Sequence, residues 1–260
     1  MSVFYVGDGK SRHIHIIKQY EPPSIKRVVD VFGGGGTISK EYSSRHIKTH
    51  YNDTNDIYVN IMETLKYKKR TLNLITELEE LKEKNDEDYF YKVYDNEIAV
   101  SDEARLIYLS TTTHKASMLR KPKLLRIGGV LTYAGNVKNP YDFLYYPNIF
   151  KNNLVTSCID YKQIIEKYKK DKNVFIYCDP PTNNGIDVFN YLQIILNDNS
   201  YKCNIMINTK FTGATYNLFR NKIKKVYKLN NSNCRNINTP YYLIATNYPK
   251  DEYLLYDVSI

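Results

Sequence analysis

The feature that most restricts this chain's fold is a run of four glycines set directly behind a short apolar segment. Residues 27–32 read Arg-Val-Val-Asp-Val-Phe, and Gly33-Gly34-Gly35-Gly36-Thr37 follow at once. The β-branched residues predict a buried strand, opened by Pro22-Pro23 and closed by the glycines. A backbone without Cβ atoms can pass close to a ligand after such a strand, in a turn that side chains would block. A second short strand is predicted over 47–51, and it ends at Asn52-Asp53. Asp53 lies seventeen residues beyond Gly36, where an acidic group can accept hydrogen bonds from both ribose hydroxyls of an adenosine-containing ligand.

Farther along, the periodicity changes. Ile57, Ile61 and Leu65, then Leu72, Ile75, Leu78 and Leu81, recur at helical spacing and predict two helices over 56–84, followed by a polar turn at 85–88. Gly128-Gly129, Gly135-Asn136 and Pro140 break 126–146 into short apolar pieces, as in a β-hairpin. Strand and helix signals then alternate. Strands are predicted over 154–159, 173–178, 203–207 and 241–246, with helices over 161–168 and 188–196. Alternation of this kind implies a mostly parallel sheet covered on both faces, with ligands at the carboxyl ends of its strands.

Charge narrows the partners. The chain carries +9 over 260 residues, and the excess is local. Residues 115–151 hold seven Lys/Arg against one acid, Asp142, and residues 201–228 hold seven Lys/Arg and no acid. Residues 61–94, by contrast, balance seven basic against eight acidic residues. Two basic stretches point to a polyanion, nucleic acid being the commonest. There is no run of 18 apolar residues, so no membrane partner is expected. The amino terminus lacks the basic and apolar regions of a signal peptide. Cys158, Cys178, Cys203 and Cys234 are too scattered for a zinc site, and free thiols in a reducing, cytoplasmic setting are expected. No metal is expected. Gly9-Lys10-Ser11 resembles the end of a phosphate loop, but its leading glycine would fall on Phe4, with no room for a strand before it. His13 and His15 flank Ile14 without a metal-partner spacing and read as ordinary polar positions.

The remaining constellation is Ile176-Tyr177-Cys178-Asp179-Pro180-Pro181-Thr182, at the carboxyl end of a predicted buried strand. It is similar to the Asp-Pro-Pro-Tyr or Asp-Pro-Pro-Phe signature of amino-methyltransferases. With Tyr5-Val6-Gly7-Asp8-Gly9-Lys10 near the start, then the glycine turn, then Asn52-Asp53, the order of parts over nearly the whole chain resembles the Dam-type (D12 class) DNA adenine-N6 methyltransferases. The chemistry fits the residue types. An adenine amino nitrogen is a poor nucleophile because its lone pair is delocalised. A rigid carboxylate and a rigid backbone carbonyl, Asp179 and Pro180 here, can accept from it and draw it toward a tetrahedral shape. Consecutive prolines stiffen that loop.

The resemblance implies a Rossmann-like class I S-adenosylmethionine-dependent methyltransferase fold, α/β, with an inserted helical and β-hairpin target-recognition domain. It places the catalytic domain at 1–60 and 152–260 and the insertion at 61–151. It implies S-adenosylmethionine as cofactor and DNA as partner, a duplex with the adenine flipped out. Asp179, Pro180, Pro181 and Thr182 would be catalytic. Tyr5, Gly7 and Lys10 would lie by the methionine part of the cofactor, with Asp30, Phe32 and the backbone of Gly33, Gly34 and Gly35. Asp53 would hold the ribose, and Ile159 or Asp160 the cofactor's adenine. Arg120, Lys121, Lys123, Arg126, Asn136 and Lys138 would meet DNA. Two departures fall at the target-base pocket: Thr182 replaces an aromatic, and the loop Asn183-Asn184-Gly185 is short. Three readings therefore stand: an active DNA adenine methyltransferase, a homologue that binds nucleic acid without turnover, and a methyltransferase acting on RNA or another substrate.

Overall fold

A computed structural model describes residues 3–4, 10–112, 133, 135, 137–181, 185–229 and 240–249. Over these residues there are seven strands, in the order β3-β2-β1-β4-β5-β7-β6, and ten α-helices. The chain divides into two compact units, one of residues 1–11 and 33–159, the other of residues 12–32 and 160–260.

The first unit is mainly helical. The glycine turn leads into α1′s successor in the chain, α2 (Thr37–Ser44), since the short α1 (Ile14–Gln19) belongs to the other unit. β2 (Lys48–Asn52) and β3 (Leu154–Ser157) pair in parallel, from Thr49↔Leu154 to Asn52↔Ser157. Between them run α3 (Asp56–Thr64), α4 (Lys68–Glu83), α5 (Glu87–Tyr94), α6 (Asp102–Thr112) and α7 (Tyr146–Phe150). Caps set their starts. The Asn55 side chain accepts from Ile57 N at 3.0 Å, and Asp86 accepts from Tyr89 N at 2.7 Å. α4 buries Leu74, Ile75, Leu78 and Leu81, one stripe of a 3.6-residue repeat. That stripe joins a core with Phe4, Met62, Phe90, Tyr108 and Phe150.

The second unit holds β1 (Arg27–Asp30), β4 (Val174–Cys178), β5 (Asn204–Lys210), β6 (Ile223–Lys228) and β7 (Tyr241–Thr246). β1, β4 and β5 are parallel; β7 runs antiparallel to both β5 and β6. α8 (Tyr161–Tyr168), α9 (Gly185–Asn197) and α10 (Gly213–Phe219) connect them. β4 is buried at every position, as its unbroken apolar run requires for a central parallel strand. The strand order and the reversed β7 are those of the Rossmann-like class I methyltransferase fold that the sequence implied. The order changes direction at β1 and β4, the switch point at which ligands of such sheets bind.

Differences from the sequence reading are local. The turn at 85–88 is already the start of α5, because Asp86 caps it. The stretch read as a hairpin ends in a 3-10 helix, Pro140–Tyr145, capped by Asn139 and begun by a proline whose missing N–H costs nothing there. Most of the rest of that stretch lies outside the described residues. α1, α2, α5, α6, α7, α10 and β6 have no counterpart among the predicted elements.

Phe90 is fully buried and has the rings of Tyr91, Tyr108 and Tyr133 about it, at 5.2, 6.4 and 5.6 Å. Phe90→Ala should lower stability by about 3–5 kcal/mol in urea unfolding, as truncation of buried aromatics does. Leu72→Ala, on the exposed face of α4, should stay within about 0.5 kcal/mol.

Candidate active site

In the first unit the glycine turn is tied to the end of β2 by a set of short hydrogen bonds. Gly33 N donates to Asn52 O at 2.8 Å, and Gly34 N donates to Asp53 Oδ2 at 2.8 Å. The Tyr51 hydroxyl donates to Gly34 O, and Val3 N to Gly35 O, both at 2.8 Å. Gly34 and Gly36 have φ of 48° and 71°, the left-handed region that glycine enters without strain. Gly33 is required for a different reason. A Cβ there would stand 2.1 Å from the Tyr51 ring, so the aromatic side chain fills the space that the missing side chain leaves.

Asp53 is the pivot of this arrangement. Its Oδ1 accepts from Asn55 N at 2.9 Å, and its own backbone N donates to Ser157 O at 3.3 Å. Burial pushes its carboxyl above the ordinary value, against the backbone hydrogen bonds from Asn55, Gly34 and Thr54, which pull it down. Next to it, Asn52 holds Ile159 from both sides. Its Nδ2 donates to Ile159 O at 3.0 Å, and its Oδ1 accepts from Ile159 N at 3.2 Å and from Ser157 Oγ at 2.6 Å. His50 Nε2 lies 2.9 Å from the same Ser157 Oγ. The unit therefore brings Gly33, Gly34, Gly35, Asp53 and Ile159 together. Of the two residues that organise them, Tyr51 was visible in the sequence only as a strand residue and Asn52 as the neighbour of Asp53 at the strand's end. Cys158, beside this group, has its thiol raised by burial first and then by the charges of Asp56 and Asp53, so it is a poor nucleophile.

The second unit supplies the switch point. β1 and β4 end side by side, Asp30 opposite Tyr177, with Val31 N donating to Tyr177 O at 3.1 Å. Asp30 is buried, Asp179 half-buried, Pro180 buried and Pro181 exposed. Between the two acids lies Cys178. Burial pushes its thiol up, and Cys203, Asp30 and Asp179 add to the rise. The Asp179 charge also acts on Tyr227 of β6, whose phenol burial raises in the first place. Tyr227 stands at the centre of a buried polar group that the sequence did not single out: its hydroxyl accepts from Asn208 Nδ2 at 2.9 Å and lies 2.7 Å from His13 Nδ1. His13 is thus a buried partner of Tyr227, with its ring edge-on to Tyr242 at 4.4 Å.

Phe32 packs against Tyr161 with ring centroids 5.7 Å apart. Asp160 uses its carboxylate to cap α8, accepting from Lys162 N at 2.8 Å. Lys138 turns inward within the first unit. Its amine donates to Val3 O at 2.9 Å, lies 4.6 Å from the Phe143 ring centroid, and is held below the ordinary lysine value by burial. Lys10 opens a 3-10 helix, Lys10–Arg12. Tyr5, Gly7, Arg120, Lys121, Lys123, Arg126, Asn136 and Thr182 lie outside the described residues.

The family model for the D12 class N6 adenine-specific DNA methyltransferases matches residues 5–241. Among curated proteins, none matches the chain.

The tight fit of Gly33 against Tyr51 has a measurable consequence. Gly33→Ala should destabilise the protein by about 1–3 kcal/mol, the usual cost of overpacking. Adding Tyr51→Leu should return part of that loss, giving a favourable coupling in a double-mutant cycle followed by thermal unfolding. Purely additive losses would show that the ring and the turn do not compete for the same space.

Proposed function

The chain belongs to the D12 class of N6 adenine-specific DNA methyltransferases, and we propose that it transfers a methyl group from S-adenosylmethionine to the exocyclic amino group of adenine in DNA. The observation that carries the reading is the place of Asp179-Pro180-Pro181, which continue β4 past its carboxyl end, beside the end of β1 at the switch point. When bound, the cofactor supplies an electrophilic methyl on a sulfonium. The residues do the rest. Asp179 accepts a hydrogen bond from the amino group, and the Pro180 carbonyl accepts a second, drawing the lone pair out of the ring and toward the methyl carbon. Transfer would form N6–CH3 as S–CH3 breaks, leaving S-adenosylhomocysteine, with the proton shed by the amino group passing to the Asp179 carboxylate or to water.

The residues present fit the cofactor. Asp53 is an acceptor-only group when ionised, and the two N–H donors on its oxygens leave lone pairs for ribose hydroxyls. In this reading Gly33, Gly34 and Gly35 pass their backbone by the methionine part, with Tyr5, Gly7 and Lys10, and with Asp30 and Phe32 at the end of β1. Ile159, fixed by Asn52, is the better placed of the two adenine contacts, because the Asp160 carboxylate is engaged at the α8 start. Residues 61–151 serve as the DNA-recognising insertion, with Arg120, Lys121, Lys123, Arg126 and Asn136 as its contacts. Lys138 drops from that group, since its amine points to Val3. A binding-only homologue is the second reading, favoured by Thr182 in place of an aromatic.

S-adenosylmethionine or S-adenosylhomocysteine should raise the melting temperature, as any native-state ligand does, and Asp53→Ala should remove most of the shift. No shift and no calorimetric heat at millimolar cofactor would remove the cofactor from the reading.

Methyl transfer to unmethylated DNA separates the two readings. A stack lost at position 182, worth roughly 1–3 kcal/mol, predicts transfer slowed about five- to 150-fold rather than abolished. Wild type should therefore methylate weakly, Asp179→Ala not at all, and Thr182→Tyr faster. Wild type and Thr182→Tyr both as inert as Asp179→Ala, with cofactor bound, would leave the binding-only reading in its place.

A further inference from the structure

We propose that Phe211 and Tyr216, with Tyr241 beside them, form a stacking platform for an unpaired base of the DNA substrate, a proposal that rests on the DNA-methylating reading above. The platform grows from the strand next to the catalytic one. β5 pairs in parallel with β4 through Cys178↔Ile207, so the two strands leave the sheet in the same direction, β4 into Asp179 and Pro180, β5 into Lys210 and Phe211. Phe211 stands three residues beyond the level of Asp179, roughly 10 Å at the rise of a strand.

Three features favour a base as occupant. The first is exposure: Phe211 is 37% exposed, Tyr216 47% and Tyr241 50%, while most aromatic side chains of this unit are buried. The second is rigidity. Thr212 caps α10 by accepting from Thr215 N at 3.1 Å, and Thr215 Oγ1 donates to Lys210 O at 2.9 Å. Phe211 N donates to Tyr241 O at 2.8 Å, which fastens the turn to the start of β7. α10 turns Thr215 and Phe219 inward, so Tyr216 is left on the outer side. Phe211 and Tyr216 meet edge to face, centroids 5.9 Å apart at 65°, which leaves ring faces uncovered. The third is charge. Lys210 and Lys228 end β5 and β6 at this side of the sheet, opposite Tyr242 and Tyr241, and the Lys228 amine lies 5.5 Å from the Tyr241 ring centroid. Exposed rings set in a basic surface are how proteins hold unpaired bases, the rings taking the base faces and the cations the backbone. A base flipped for methylation is itself unpaired and leaves one unpaired partner in the duplex, and Thr182 offers the flipped base no ring.

The first two aromatics after Thr182 in the sequence are engaged elsewhere. Phe189 is buried against Phe219 at 6.4 Å, and Tyr191 lies edge-on to Tyr161 at 5.5 Å with the Lys162 amine 5.5 Å from its centroid.

The test is fluorescence anisotropy of the full chain with a short AT-rich single strand, with the matching duplex and with an RNA strand of the same sequence. The variants are Phe211→Leu/Tyr216→Leu and Tyr216→Leu alone, which keep apolar bulk and remove ring faces. Single-strand DNA binding should weaken about five- to 150-fold per stack lost. The salt slope should stay unchanged, because the cations remain, and so should the melting temperature and the cofactor-induced shift. If the double variant loses its fold, Tyr216→Leu decides alone. Variants that bind single strands as wild type does, while wild type binds and methylates DNA, overturn the platform and leave the DNA reading standing. Wild type that binds no DNA at low salt overturns both. A loss confined to the RNA strand overturns the assignment to DNA.

Discussion

The hydrogen bond from Gly34 N–H to the Asp53 carboxylate is the contact on which the arrangement of the glycine turn in the first unit depends. A turn of four glycines has more conformational freedom than any other four-residue segment, and left alone it would be mobile. Here each of the first three glycines has a partner outside the turn: Asn52 for Gly33, Asp53 and Tyr51 for Gly34, Val3 for Gly35. Asp53 can do this because it is partly desolvated, and a charge in such surroundings bonds its donors more strongly than it would in water. The raised titration of its carboxyl is the cost of the same burial, since desolvation disfavours the ion. A group in that balance is held rigidly enough to meet a ligand without reorganising.

Much of this was legible in advance. The strand before the glycines, the helix at 161–168 and the strand at 241–246 follow from apolar runs and periodicity alone, and the structure places them within a residue or two. What the sequence could not supply was the reason for each glycine. The run reads as space for a ligand, yet at Gly33 the space is occupied by the protein's own Tyr51 ring. Such a contact joins residues eighteen positions apart in the sequence, and no local rule reports it. α5 and α6 escaped for a related reason. Their tyrosines, threonines and serines blur the apolar stripe, and it is tertiary burial, of Phe90, Val93, Ile107 and Leu109, that makes them helices.

The polar group around Tyr227 was equally invisible. His13 is near one end of the chain, Asn208 and Tyr227 near the other, and nothing in their spacing connects them. Folded, they are within hydrogen-bonding distance in a buried setting, and the Asp179 charge acts on the phenol. Buried polar groups of this kind hold their geometry because losing one partner strands the others without water. The charge at the end of β4 therefore faces an organised set of buried side chains.

The two basic stretches now have different standing. In 115–151 the cations expected to meet DNA lie largely outside the described residues, and the described Lys138 spends its amine on a backbone carbonyl. In 201–228 two of the cations, Lys210 and Lys228, lie at the same end of the sheet as the exposed rings, which the strand geometry sets beyond the end of β4. Charge by itself draws any polyanion and carries no position. Aromatic faces fixed by a capped helix do carry position, because a stacked base must come to where the ring is. In the proposed reading Thr182 offers the target base no ring, and the exposed rings at the carboxyl end of β5 would supply a fixed position instead.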